Sequence, residues 1–123
     1  MLKVHARNLG NVAVLCLQGH IVNGEKEVLR NAVNSLADVN AVILDLAQVT
    51  TIDAGGLGVL LELHQRAASN GIRFELTNPT RWVRRVLEVV RLDSVFQIRS
   101  SVEYFPTVSR SAREALAALA PCA

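Results

Sequence analysis

The sequence predicts a single-domain α/β sandwich: a mixed, mostly parallel β-sheet with an N-terminal hairpin and helices packed on it. Three observations carry this reading. After an initial pair of strands, segments with apolar residues at every second position alternate with segments at helical spacing. Ala41-Val42-Ile43-Leu44-Asp45-Leu46 is an almost continuous apolar run, as in a central strand covered on both faces. Half of the 123 residues are hydrophobic, enough to build one core without metal or disulfide.

The elements follow in order. Leu2, Val4 and Ala6 alternate with Lys3, His5 and Arg7, a half-buried strand. Asn8-Leu9-Gly10-Asn11 is a turn, and Val12 to Leu17 is the second strand of a hairpin, ended by Gly19. Asn23 reads as a helix cap, and Val28, Leu29, Ala32, Val33 and Leu36 define a helix from about Glu25 to Ala37. The central strand comes next, and Asp53 lies a few residues beyond it. Leu57, Leu60, Leu61, His64, Ala67 and Ala68 mark one face of a helix from about Gly55 to Asn70, and Gly71 suits the left-handed position that stops it.

Ile72 to Thr77 is a strand with Phe74 and Leu76 on one side. Asn78-Pro79-Thr80 starts another helix, with Trp82, Val83, Val86, Leu87 and Val90 facing inward and Arg81, Arg84, Arg85 and Glu88 wet. Val95 to Ile98 forms a last short strand. A final amphipathic helix spans about Thr107 to Leu119, and residues 120–123 are a frayed tail, so the domain runs over 1–119.

Composition excludes several function classes. Aromatics are 4%, so Leu, Val, Ile and Ala build the core. A formal charge of +2, with both signs mixed along the chain, is too mild for nucleic-acid binding. No run approaches the ~18 apolar residues of a membrane span, and no signal-peptide pattern appears, which points to a cytoplasmic protein. Cys16 in an apolar run and Cys122 near the end read as two free thiols in a reducing compartment. His5, His20 and His64 lie in separate elements with no metal-ligand spacing, and His64 reads as a core histidine. No metal, cofactor or catalytic residue is expected. Asp45 and Asp53 flank one strand and could approach each other, but two carboxylates without partners are a poor acid–base site. Arg81, Arg84, Arg85 and Arg91 read as a solvated helix face ahead of a docking patch.

The turn Ile52-Asp53-Ala54-Gly55-Gly56-Leu57-Gly58 stands out. Glycines where a buried strand feeds a helix let the backbone bend and expose amide groups, which favours anions. A phosphate-binding P-loop needs Lys-Ser or Lys-Thr after the glycines, but Val59-Leu60 follow, and Gly-x-Gly-x-x-Gly is not met. Structurally, Asp53 would cap the helix and Gly58 would let it pack close to the sheet. The turn also lies at the C-terminal edge of a central strand, where open α/β sheets place binding sites.

Val42-Ile43-Leu44-Asp45-Leu46, Val49-Thr50-Thr51-Ile52-Asp53 and Gly56-Leu57-Gly58-Val59-Leu60-Leu61 together resemble the signature of STAS domains, the sulfate transporter and anti-sigma-factor antagonist family. Leu17-Gln18-Gly19, Asn70-Gly71-Ile72 and the stretch Leu87 to Phe96 support the likeness. The resemblance implies a bacterial partner-switching module in signal transduction and transcription regulation. Its partner would be an anti-sigma factor that is also a serine kinase of the histidine-kinase-like ATPase type. In that family a serine in the turn is phosphorylated and binding is lost, as two added negative charges at a docking face would cause. Here Asp53-Ala54-Gly55-Gly56-Leu57-Gly58 stands against Asp-Ser-Ser-Gly-Leu-Gly. Gly55 occupies the phosphoacceptor position without a hydroxyl, and Val22 replaces an acid usually near it. Thr50 and Thr51, the nearest hydroxyls, read as strand residues.

The resemblance thus implies a partner-binding face of Asp53, Ala54, Gly55, Gly56 and Leu57 that is not switched at the usual serine. Two alternatives stand beside it: a soluble STAS subunit of a lipid or anion transport complex, and an anion- or nucleotide-binding module. A homodimer is compatible with the sequence, which does not select an oligomeric state.

Overall fold

The hairpin consists of β1 (Leu2–Leu9) and β2 (Val12–Ile21), paired antiparallel from Leu2↔Gly19 to Leu9↔Val12. The structure, a computed structural model, describes residues 2–99. The expected helix 107–119, the 120–123 tail and Cys122 lie outside that range. A 3-10 turn, Asn23–Glu25, then leads into α1 (Lys26–Asn34), β3 (Ala41–Ile52), α2 (Ala54–Ser69), β4 (Arg73–Thr77), α3 (Arg81–Val89) and β5 (Gln97–Arg99). The sheet has 5 strands in the order β1-β2-β3-β4-β5. β2 to β5 run parallel, so β3 is the central strand, with an antiparallel edge at β1.

Period-2 alternation explains how the sheet is buried. Leu15, Leu17, Val42, Leu44, Leu46, Phe74 and Leu76 share one core with Leu29 of α1, Val59, Leu60 and Leu63 of α2, and Val83 and Leu87 of α3. The alternate residues Cys16, Ile43, Asp45, Glu75 and Thr77 are buried as well. This is why the run at 41–46 is almost wholly apolar. The polar exceptions have local partners. Asp45 accepts the Ala47 N–H at 2.9 Å, and burial pushes its carboxyl up while Ala47 and Asn78 pull it back. Glu75 accepts from Arg73 at 2.9 Å.

Several expectations are corrected. β2 does not stop at Gly19 but continues to Ile21, because Gly19 takes φ +113, a conformation open to glycine, between two register shifts. β3 is twice as long as its apolar run and ends at Ile52, so Asp53 follows it directly. Trp82 is 57% exposed and Val90 45% exposed, so neither packs inward; α3 is short and its buried stripe is Val83 and Leu87. Val95 sits in a turn, and the last strand starts at Gln97. Asn23 does not cap a helix with its side chain. Cys16 is buried and disulfide-bonded, so it is not the free thiol expected. His64 is half-buried as an edge-on ring between Phe74 and Phe96, at 6.0 and 5.4 Å.

Helix ends follow local chemistry. After α2, Gly71 at φ +70 closes a Schellman turn, with Ile72 N–H donating to the Ala67 carbonyl at 2.8 Å and Gly71 N–H to Ala68 at 3.2 Å. After α3 the same turn is made by Arg91 at φ +62, with Leu92 N–H donating to Leu87 at 2.9 Å. Among the described residues, no helix is long and apolar enough to cross a membrane.

Candidate functional site at the start of the second helix

β3 delivers the chain to the C-terminal edge of the sheet at Ile52, and Asp53 changes its direction. Asp53 is extended (φ −113, ψ −176), and its Oδ1 accepts the Gly56 N–H at 2.8 Å, which caps α2. Its Oδ2 accepts the Asn23 N–H at 3.2 Å, from the 3-10 turn that follows β2. One carboxylate therefore starts the helix and anchors the loop beside it. The Gly56 and Asn23 amides hold its carboxyl below the ordinary aspartate value. The Asp53 N–H in turn donates to the Ile21 carbonyl at 3.3 Å.

This clamp brings the end of β2 against the first turn of α2, and two glycines make room for it. A Cβ at Gly56 would lie 1.9 Å from the Ile21 carbonyl oxygen. One at Gly55 would lie 2.7 Å from the Asn23 Cβ and Oδ1 and 2.9 Å from its Cα. Gly58 has open space where its Cβ would be and is exposed, so Gly56 rather than Gly58 permits the close packing. α1 is held beside α2 by Arg30, whose Nε and Nη2 donate to the two Glu62 carboxylate oxygens at 2.7 and 3.0 Å.

Of the residues read as a partner face, Asp53 and Ala54 are exposed, and Gly55 and Leu57 are half-buried. Gly56 is buried, so its part is to bring the helix close to β2. Asp45 does not join them; it lies roughly 25 Å back along the extended chain at about 3.3 Å per residue. Thr50 is exposed, and its hydroxyl donates to the Gly19 carbonyl at 3.3 Å with His20 Nδ1 at 3.1 Å. Sequence reading missed Asn23 and Ile21 as parts of this site. Paired glycines in a first helical turn signal a close neighbour, but not which residue it is.

The arrangement suits recognition better than anion capture. An anion at this helix start would meet the Asp53 carboxylate already seated on the Gly56 amide, so charge repulsion opposes it. What remains is a small, partly apolar face with a fixed backbone, bounded by one carboxylate. A mixed sheet with such a capped turn at the end of its central strand defines a small α/β domain. The chain belongs to the STAS domain family, whose match covers residues 3–105.

Among curated relatives, the chain is similar to a Thermotoga maritima protein bearing the name of an anti-sigma factor antagonist, at 33% identity over 63 residues, 51% of this chain and 56% of that one. It is also similar to sulfate transporter 2.2 of Arabidopsis thaliana, at 41% identity over 69 residues, 56% of this chain and 10% of that one. The match to the first of these thus spans about half of the relative's length. Among solved structures, the anti-sigma factor antagonist SpoIIAA in its unphosphorylated form shares the fold, with a TM-score of 0.70 at 19% identity over 83% of this chain and 92% of that one. SpoIIAA from Bacillus is also known in a phosphorylated form.

Proposed function

We propose that this STAS domain is a protein-binding regulatory module of the anti-sigma-factor antagonist kind, a binder and not an enzyme. Its docking face is Asp53, Ala54, Gly55 and Leu57, with Gly56 seating the helix. The partner is an anti-sigma factor with a histidine-kinase-like ATPase fold, and binding is not switched by phosphate at position 55. The observation that carries this reading is the capped helix start with neither a hydroxyl nor a side chain at position 55. Small residues on a fixed backbone let a partner approach closely, and no acceptor oxygen is offered for phosphoryl transfer. Incubation with the host's anti-sigma kinase and ATP, followed by intact-mass measurement, tests it. The expected result is a stable complex and no added phosphate. Stoichiometric phosphate on residues 50–58 would refute the non-switchable part.

The likeness to a plant sulfate transporter supports a second reading, a subunit of a transport complex. The neighbouring genes discriminate: permease and ATPase genes favour transport, and sigma-factor and kinase genes favour partner switching.

A further inference from the structure

We infer that Asn23 closes position 55 to side chains, so that loss of switching is a property of the pair Asn23–Gly55 and not of a missing hydroxyl alone. This rests on reading position 55 as the phosphoacceptor seat. The argument is steric. A Cβ on residue 55 would stand 2.7 Å from the Asn23 Cβ and 2.9 Å from its Cα. A rotamer change of Asn23 moves neither atom, but loss of its Cβ and Oδ1, both at 2.7 Å, would leave the Cα as a single contact that a small shift of the turn relieves.

Asn23 is not free to withdraw. Its N–H is held by Asp53 Oδ2 at 3.2 Å, and Glu25 N–H donates to the Val22 carbonyl at 2.9 Å, closing the 3-10 turn. The helix that follows this turn is tied to α2 through Arg30 and Glu62. Asp53 cannot relax either, because its other oxygen caps α2. Any side chain at position 55 must therefore push the 23–25 turn away and break the Asn23–Asp53 bond. A single Gly55→Ser change restores the hydroxyl but not a seat for it. Opening the seat needs a second change at Asn23.

The full-length chain tests this without any partner. Thermal unfolding is compared for wild type, Gly55→Ser, Asn23→Gly and the double variant. Gly55→Ser should lower Tm by about 5 °C, although glycine replacement in an open helical turn normally raises stability. In the Asn23→Gly background the same change should lose less than half as much. Penalties that simply add would overturn the proposal. Should Gly55→Ser fail to fold, Gly55→Ala is compared with Gly58→Ala by amide exchange. Protection of the Asn23 N–H should fall only in the first, and equal protection in both would overturn the proposal. The outcome is independent of the functional reading, since a chain that binds no anti-sigma factor would still show the coupling. Conversely, phosphate accepted by Gly55→Ser alone from an anti-sigma kinase and ATP would overturn the closure while supporting that reading.

Discussion

Two helices start at the same edge of the sheet, and they start differently. α2 begins Asp53-Ala54-Gly55-Gly56-Leu57-Gly58, and α3 begins Thr80-Arg81-Trp82-Val83-Arg84-Arg85. Both use a side-chain oxygen as cap: Asp53 accepts from the Gly56 N–H at 2.8 Å, and Thr80 from the Val83 N–H at 3.4 Å. Helix initiation therefore does not require glycine. Where α2 has Gly55 and Gly56, α3 has Trp82, which is exposed, and Val83, which is buried in the core. The difference is what lies alongside. The end of β2 and the turn after it press on α2, whereas the first turn of α3 leaves room for an indole. The glycines of α2 thus record a close neighbour, and their smallness leaves a face that Trp82 and Arg81 would obstruct.

Substitutions at matched positions should break this comparison in a definite order. Gly56→Ala should cost the most, about 3 kcal/mol in urea unfolding, because its methyl group would meet the Ile21 carbonyl oxygen. At the matched position the sign of the size change reverses: Val83→Ala should cost about 2 kcal/mol by removing two buried carbons. If Gly56→Ala proves neutral, the clamp between β2 and α2 is wrong.

The caps come next. Thr80→Ala should cost about 1 kcal/mol. Asp53→Ala should lower Tm more than Thr80→Ala does, since Asp53 also anchors Asn23. Acid sharpens this. Asp53 has its carboxyl lowered in the folded state, so its contribution is full above the ordinary aspartate pKa near 4 and is lost as pH falls through the lower folded value. The Tm difference between wild type and Asp53→Asn should therefore shrink below about pH 4. A constant difference would mean that the charge of Asp53 contributes nothing.

The smallest effects are gains. Arg91→Gly should stabilise by about 0.5–1 kcal/mol, because Arg91 sits at φ +62 in a turn that Gly71 makes without strain. Gly58→Ala should stabilise by about 0.4–1 kcal/mol, since its Cβ would enter open space on a helix. Trp82→Ala should change stability by less than about 0.5 kcal/mol, as suits an exposed side chain.

The layered fold was legible because periodicity reports burial directly. The run at 41–46 identified the central strand, and Asn70-Gly71 identified the end of α2. Misreadings arose where local pattern and tertiary surroundings disagree. Trp82 looked like a core residue from its type, but it lies on the exposed side of α3, opposite the buried Val83 and Leu87. Gly19 looked like a strand end, yet a register shift lets β2 pass through it. Asp53 as a cap was legible because capping is a local hydrogen bond. The contact of Asn23 with Gly55 joins elements separated by α1 and β3, and no spacing rule encodes it.

The central claim is that the start of α2 is the docking face. Calorimetric titration of the proposed anti-sigma partner with wild type and with Ala54→Glu tests it most directly. Ala54 is exposed, so the substitution leaves the fold intact while placing charge and bulk on the face. The account predicts binding at least about tenfold weaker with an unchanged Tm. Unchanged affinity for Ala54→Glu would contradict it.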